Sequence, residues 1–176
     1  NKDTIKDIIS KKSKEELSEL ILDILNRNPE LKPLIVLRKN EIVQKVRVLF
    51  SKFWEWNEVR KLILELELIL EGIKKSKGLW GKELLEEMEK SSDIIIKGID
   101  SVHDDEGALS SFLENWYEIY GEIFSFTNPS KEKKIEFIKK ILKLIEKDEY
   151  SAEDSYEKAF LGMCKDIEDV ELVKKY

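Results

Sequence analysis

This chain of 176 residues has very little cysteine, histidine, proline or glutamine. It contains one Cys, one His and three Pro, and its only Gln is Gln44. The single cysteine, Cys164, cannot form a disulfide within the chain, which favours a reducing compartment and predicts a cytoplasmic protein. The abundance of Lys and Glu beside so little Gln is also a compositional tendency of thermophile proteins.

Long hydrophobic runs are absent as well. The longest nearly apolar stretch, residues 62–70, is interrupted by Glu65 and Glu67 and is far shorter than the roughly 20 residues that a membrane span needs. We therefore expect no membrane partner and no signal peptide. The length fits one domain over residues 1–176, and the first residue, Asn rather than Met, is also compatible with a fragment of a longer protein.

The residue types that carry catalysis or bind metals are scarce. His103 stands near Asp100, Asp104 and Glu106, but a single His does not form the usual zinc patterns, and a capping turn is the simpler interpretation. Cys164 lies in an apolar helical stretch, where a thiol behaves as a small hydrophobe. Gly-rich phosphate loops are missing. We expect no enzymatic activity, no metal and no cofactor.

What the chain does contain is apolar residues at helical spacing, separated by capping and turn residues. The clearest helix start is a capping box of Ser13 and Glu16, and Pro29 and Pro33 interrupt the pattern that follows. The predicted helices cover residues 14–25, 33–39, 41–54, 58–75, 82–102, 108–126, 131–147, 151–164 and a short segment from 166.

This pattern predicts an all-α fold, either an antiparallel multi-helix bundle or a short αα-solenoid of about seven to eight helices. Four glycines lie inside predicted helices, where each costs about 1 kcal/mol relative to Ala. They are Gly72, Gly98, Gly121 and Gly162. Close approach of neighbouring helices would compensate that cost; positions on exposed turns near frayed helix ends are the alternative.

Charge is distributed unevenly along the chain. Residues 32–61 carry a balance of +5, and residues 82–122 carry −9. Arg38, Lys45 and Lys52 recur every seven residues, with Arg47 between them, and would share one stripe if a single helix ran through all of them. Phe53, Trp54 and Trp56 follow the stripe. A basic stripe beside aromatics can bind nucleic acid, whereas pairing of opposite charges within the fold or with a partner chain explains the same distribution.

Aromatic residues raise a similar question on another helix. Trp116, Tyr117 and Tyr120 lie close enough in sequence to form one patch, which is either core or an interface anchor. We expect Trp116 in the core and take Tyr117 as a candidate interaction residue.

Three segments carry a family resemblance: SKEELSELILDILNRNPEL (residues 13–31), DDEGALSSFLENWYEIYGE (104–122) and DEYSAEDSY (148–156). Together they resemble a helical region that follows the zinc finger in some SWIM zinc-finger proteins. The resemblance implies an interaction scaffold that accompanies a nucleic-acid- or protein-binding finger outside this chain. The Cys and His pattern of the finger itself is absent from these 176 residues.

The sequence therefore predicts a non-enzymatic helical scaffold or protein-interaction module that binds a protein partner or associates with itself. A nucleic-acid-binding accessory domain that uses the basic stripe from Arg38 to Lys52 is the alternative. The candidate interaction residues are Arg38, Lys45, Arg47, Lys52 and Tyr117.

Overall fold

The structure is a computed structural model that describes residues 10–28, 41–52, 54–55, 58–99, 102, 107–147 and 153–176. Within these ranges the chain forms eight α-helices, one short 3-10 helix and no strand, which confirms the predicted all-α fold. The helices are α1 (Lys14–Arg27), α2 (Glu41–Phe50), α3 (Val59–Lys75), α4 (Lys82–Ile99), α5 (Ala108–Phe126), α6 (Lys131–Lys147), α7 (Glu153–Met163) and α8 (Ile167–Lys174). The predicted helix 33–39 lies outside the described residues.

Local sequence signals determine several helix starts. The capping box of α1 is present, with Glu16 N donating to Ser13 Oγ at 3.1 Å and Ser13 N donating to Glu16 Oε2 at 2.7 Å. Asp166 caps α8 by accepting a hydrogen bond from Asp169 N at 3.0 Å. These side chains satisfy backbone donors that have no partner within the helix, so the predicted starts are confirmed.

α2 is shorter than predicted, because its last carbonyls are capped by side chains. Ser51 Oγ donates to Val48 O at 2.8 Å, and the indole nitrogen of Trp54 donates to Leu49 O at 2.8 Å. These bonds replace the backbone donors of a further helical turn. The helix therefore ends at Phe50 instead of continuing to residue 54.

The longer helices form an all-α bundle with two layers. α2 and α4 form one layer, to which the Lys140–Glu89 ion pair links α6, and α3, α5 and α7 form the other. The most extensive packing joins next-but-one helices: α5 with α7, α2 with α4, and α3 with α5. α2 and α4 run parallel: Val43 N of α2 donates to Glu87 of α4 at 3.2 Å, and Phe50 lies further along against Gly98. α5 and α7 also run parallel, because Ser155 Oγ donates to Ser110 O and Gly162 lies further along against Glu118. Short αα-solenoids share this order.

The core is richest around α5. Its buried apolar side chains are Leu109, Phe112, Leu113, Trp116, Tyr117, Ile119, Tyr120, Ile123 and Phe124. Trp116 is fully buried as predicted, and its indole nitrogen donates to Ser92 Oγ of α4 at 2.9 Å. Gly121 and Gly162 allow α5 and α7 to approach closely, so the interpretation of helical glycines as contact points is confirmed there.

Candidate interaction surface

The predicted basic residues do not lie on one helix. Lys45 and Arg47 are on α2, whereas Lys52 follows its end, with its ammonium 5.9 Å from the centre of the Trp54 ring. The prediction of one continuous stripe through Lys45 and Lys52 is wrong, because the helix ends at Phe50. Arg38, together with Phe53 and Trp56, lies outside the described residues.

Tyr117 is not an accessible interaction residue. Its side chain is fully buried, and its ring packs edge-on against Tyr156 with centroids 4.9 Å apart. Burial raises the pKa of the Tyr117 hydroxyl well above its usual value, and the neighbouring Tyr156 adds to the effect. That surface prediction is therefore wrong: the parallel contact of α5 with α7 places Tyr117 between the two helices.

An apolar groove lies between α2 and α3. Its volume is about 340 Å³. Its lining residues are Gln44, Lys45, Val48 and Leu49 of α2 and Glu65, Leu68 and Ile69 of α3. We call this site the α2–α3 groove.

The groove has a buried floor and exposed apolar edges. Leu49 and Ile69 are buried, but Val48 is 44% exposed and Leu68 is 55% exposed. Leu64, one turn before Leu68 on α3, is 53% exposed and extends the apolar edge. Three large apolar side chains that the described part of the fold leaves exposed therefore lie together at one surface.

A surplus of leucine on α3 is the sequence signal for this site. The core-facing side of α3 already carries Leu62, Ile63, Leu66, Ile69, Leu70 and Ile73. Leu64 and Leu68 are four residues apart, so they lie above one another on the outer side. The alternation of apolar residues with glutamate in residues 62–70 therefore belongs to an α-helix that carries apolar side chains on two sides.

Charge is divided between the two walls of the groove. Lys45 lies on the α2 wall and Glu65 on the α3 wall. Neither side chain forms an ion pair with another described residue. Both charges are available to a molecule that enters the groove.

A second polar cluster joins the layers elsewhere. Lys140 Nζ of α6 lies 2.5 Å from Glu89 Oε1 of α4 and 3.1 Å from the Tyr120 hydroxyl of α5. Burial disfavours the ammonium, but the bonds to Glu89 and Tyr120 outweigh it and raise the pKa of Lys140. Burial raises the pKa of Tyr120, against the opposing charge of Lys140. Lysine thus stays charged and tyrosine protonated at neutral pH.

Potential metal ligands do not cluster in the part of the chain that the structure describes. No three His, Cys, Asp or Glu side chains lie together there, and His103 is outside that part. None of the described helices combines the length and the hydropathy that a membrane crossing requires.

Comparisons of this chain with protein-family models, with curated proteins and with solved structures yield no match. The likeness to the helical region of SWIM zinc-finger proteins therefore stays a prediction.

Proposed function

We propose that this chain is a non-catalytic helical interaction module that binds an apolar helical surface of a protein in the α2–α3 groove. The observation that carries this proposal is the exposure of Val48 and Leu68 above the buried floor of Leu49 and Ile69. Grooves between helices that display apolar side chains are a recurrent way to bind an amphipathic helix.

The groove provides both a driving force for binding a partner and charges that discriminate between partners. Burying apolar surface contributes about 25 cal/mol per Å², and Val48, Leu64 and Leu68 are the exposed apolar side chains that a partner would cover. The charges of Lys45 and Glu65 contribute more to orientation and partner choice than to affinity. A partner is therefore expected to present apolar residues at helical spacing, with a carboxylate toward Lys45 and a basic group toward Glu65.

The side chains whose pKa values depart from the usual ones support a non-catalytic role. Burial, followed by the charge of Asp169, raises the pKa of the Cys164 thiol, which keeps it in its less nucleophilic form. Tyr117 and Tyr120 also stay protonated, because burial raises the pKa of each hydroxyl. No described group with a shifted pKa has moved toward neutral pH, which is where a general acid or base works best.

Nucleic-acid binding is the second candidate function. Lys45, Arg47 and Lys52 lie within eight residues of one another, and Lys52 is close to the Trp54 ring. Glu65 in the same groove and the net charge of −6 oppose a polyanion. This function predicts affinity for a mixed-sequence oligonucleotide that falls steeply with salt and is weakened in the double variant Lys45→Glu/Lys52→Glu.

A labelled peptide provides the test of the protein-binding function. Residues 10–28 include α1, whose apolar face carries Leu17, Leu20, Ile21 and Ile24. This peptide serves as a generic amphipathic helix: we expect it to bind the full chain more weakly than the true partner, with little dependence on salt, and to lose that binding in Leu68→Asp. The matched control is Leu161→Asp on α7, because Leu161 is 64% exposed and does not line the groove. Equal peptide affinity in the two variants would contradict the proposal.

A further inference from the structure

We propose that the partner of the α2–α3 groove is the same groove of a second copy, so that the chain forms a two-fold symmetric dimer. This inference rests on the proposed function, because it names the partner of that surface. Symmetric dimers are the commonest assemblies of identical chains, and their interface must be self-complementary.

The position of the groove favours a neighbour that continues the layers. On α2, Phe50 packs against Gly98 of α4, whereas Lys45 and Val48 lie about 140° and 160° away from Phe50 around the helix. The groove is therefore on the side of α2 that faces away from α4. Layered helical arrays need a polar outer face where they end without a neighbour. Among the described residues, no other helix covers this side of α2 and α3, and it carries exposed Val48, Leu64 and Leu68.

The charges on the two walls select one symmetry axis. A two-fold axis along the groove places α2 of one copy over α3 of the other, so that Lys45 of each copy faces Glu65 of its partner. An axis across the groove would place Lys45 over Lys45, which is unfavourable. The first arrangement covers the apolar edges and pairs two charges that have no ionic partner among the described residues.

Among the described helices, α1 is the other candidate occupant. It also exposes apolar side chains, at Leu20, Ile21 and Ile24. The acids that flank this face already have ionic partners, because Glu16 pairs with Lys12 just before α1 and Asp23 pairs with Arg27 within it. The unpaired charges of the groove therefore complement a second groove better than they complement α1.

Sedimentation of the full chain over a wide concentration range tests the dimer. We expect a monomer–dimer equilibrium in which Leu68→Asp raises the dissociation constant by about 100-fold, since it places a charge at the centre of an apolar contact. Leu161→Asp, which adds the same charge on α7, is expected to dimerise like the unmodified chain. Far-ultraviolet circular dichroism of each variant verifies that the fold is retained.

A charge exchange tests the symmetry. Lys45→Glu alone and Glu65→Lys alone each place like charges opposite each other and should raise the dissociation constant by about tenfold. The double variant Lys45→Glu/Glu65→Lys should restore dimerisation, because both contacts again join opposite charges. An equimolar mixture of the two single variants should form heterodimers for the same reason. Arg47→Glu is the matched control, because Arg47 is on α2 but does not line the groove.

Three results would overturn the inference. The chain could stay monomeric at all concentrations, or the double variant could dimerise no better than the single variants. The third is a dimer that dissociates in Leu20→Asp/Ile24→Asp, which would make α1 the occupant. If the chain is monomeric but binds the peptide of residues 10–28 in a Leu68-dependent manner, the interaction module stands and only the second copy is rejected. If neither occurs, both proposals fail.

Discussion

Gly121 of α5 and Gly162 of α7 each lie directly against the backbone of the opposite helix. A Cβ added to Gly121 would overlap the carbonyl group of Ala159, and one added to Gly162 would overlap the carbonyl group of Glu118. Backbone atoms at these positions cannot move away as a flexible side chain would. The two glycines therefore set the separation of the helices that bury Tyr117 and Tyr156.

We expect Gly121→Ala and Gly162→Ala each to lower the free energy of unfolding by about 2 kcal/mol. Overpacking typically costs about 1–3 kcal/mol, and overlap with rigid backbone places both sites near the upper value. The better helix propensity of Ala returns about 1 kcal/mol. Chemical denaturation measures the change. Gly78→Ala is the control, because no heavy atom lies within 4 Å of its added Cβ and its effect should stay within about 0.5 kcal/mol. Equal effects at Gly78 and Gly162 would contradict the role of close helix packing.

The sequence predicted most of the helices, and close helix approach at these glycines was one of the two interpretations that it allowed. α5 and α6 match their predicted ranges, since the Gly107 and Asn128–Pro129 breaks are local signals. The burial of Tyr117 was not predictable, because it depends on which helix packs next to α5. The groove was missed for a related reason: Leu64 and Leu68 signal a second apolar side, but only the packing of α3 decides which side is exposed.

Tyr117 provides a prediction about buried polar atoms. Its hydroxyl has no hydrogen-bond partner among the described residues. Replacing Tyr117 by Phe removes a desolvated donor at nearly the same shape, so we expect stability to be unchanged or to rise by up to about 1 kcal/mol. A loss of more than that amount in chemical denaturation would show that the hydroxyl makes a stabilising bond.

The same variant predicts a change in the alkaline range. Burial raises the pKa of Tyr117 in the folded chain, while an unfolded tyrosine ionises near pH 10. The protonated Tyr117 hydroxyl therefore makes its full contribution to folding stability below about pH 10, and this contribution is lost as the pH rises above that value. Between about pH 9 and pH 11, the free energy of unfolding of Tyr117→Phe should therefore fall less than that of the unmodified chain. Tyr176→Phe, at an exposed tyrosine, should behave like the unmodified chain.

A buried ion pair attaches α8 to the bundle. Asp169 is almost fully buried; it accepts hydrogen bonds from Lys134 Nζ at 2.5 Å and from Lys165 N at 3.1 Å. A double-mutant cycle of Lys134→Met and Asp169→Asn should give a coupling energy of about 1–2 kcal/mol, because the two groups share one network.

The control for that cycle is the pair Lys77 and Glu122. Its N–O distance is 3.5 Å, and the Lys77 side chain is largely exposed. Water screens such pairs, so we expect a coupling energy below about 0.5 kcal/mol in the corresponding cycle. If both cycles give the same small value, Asp169 does not hold α8 through Lys134.

Hydrogen exchange should separate α1 from the rest of the chain. α1 has exposed apolar side chains and no extensive packing against the other described helices, whereas α5 is buried along most of its length. Segments with few tertiary contacts open at a small cost in free energy, so amides of α1 should exchange far faster than those of α5. If the groove pairs with a second groove, the slow exchange of α2 and α3 should become still slower at high protein concentration, while α1 stays fast. Protection that increases with concentration in α1 but not in α3 would instead indicate that α1 carries the association.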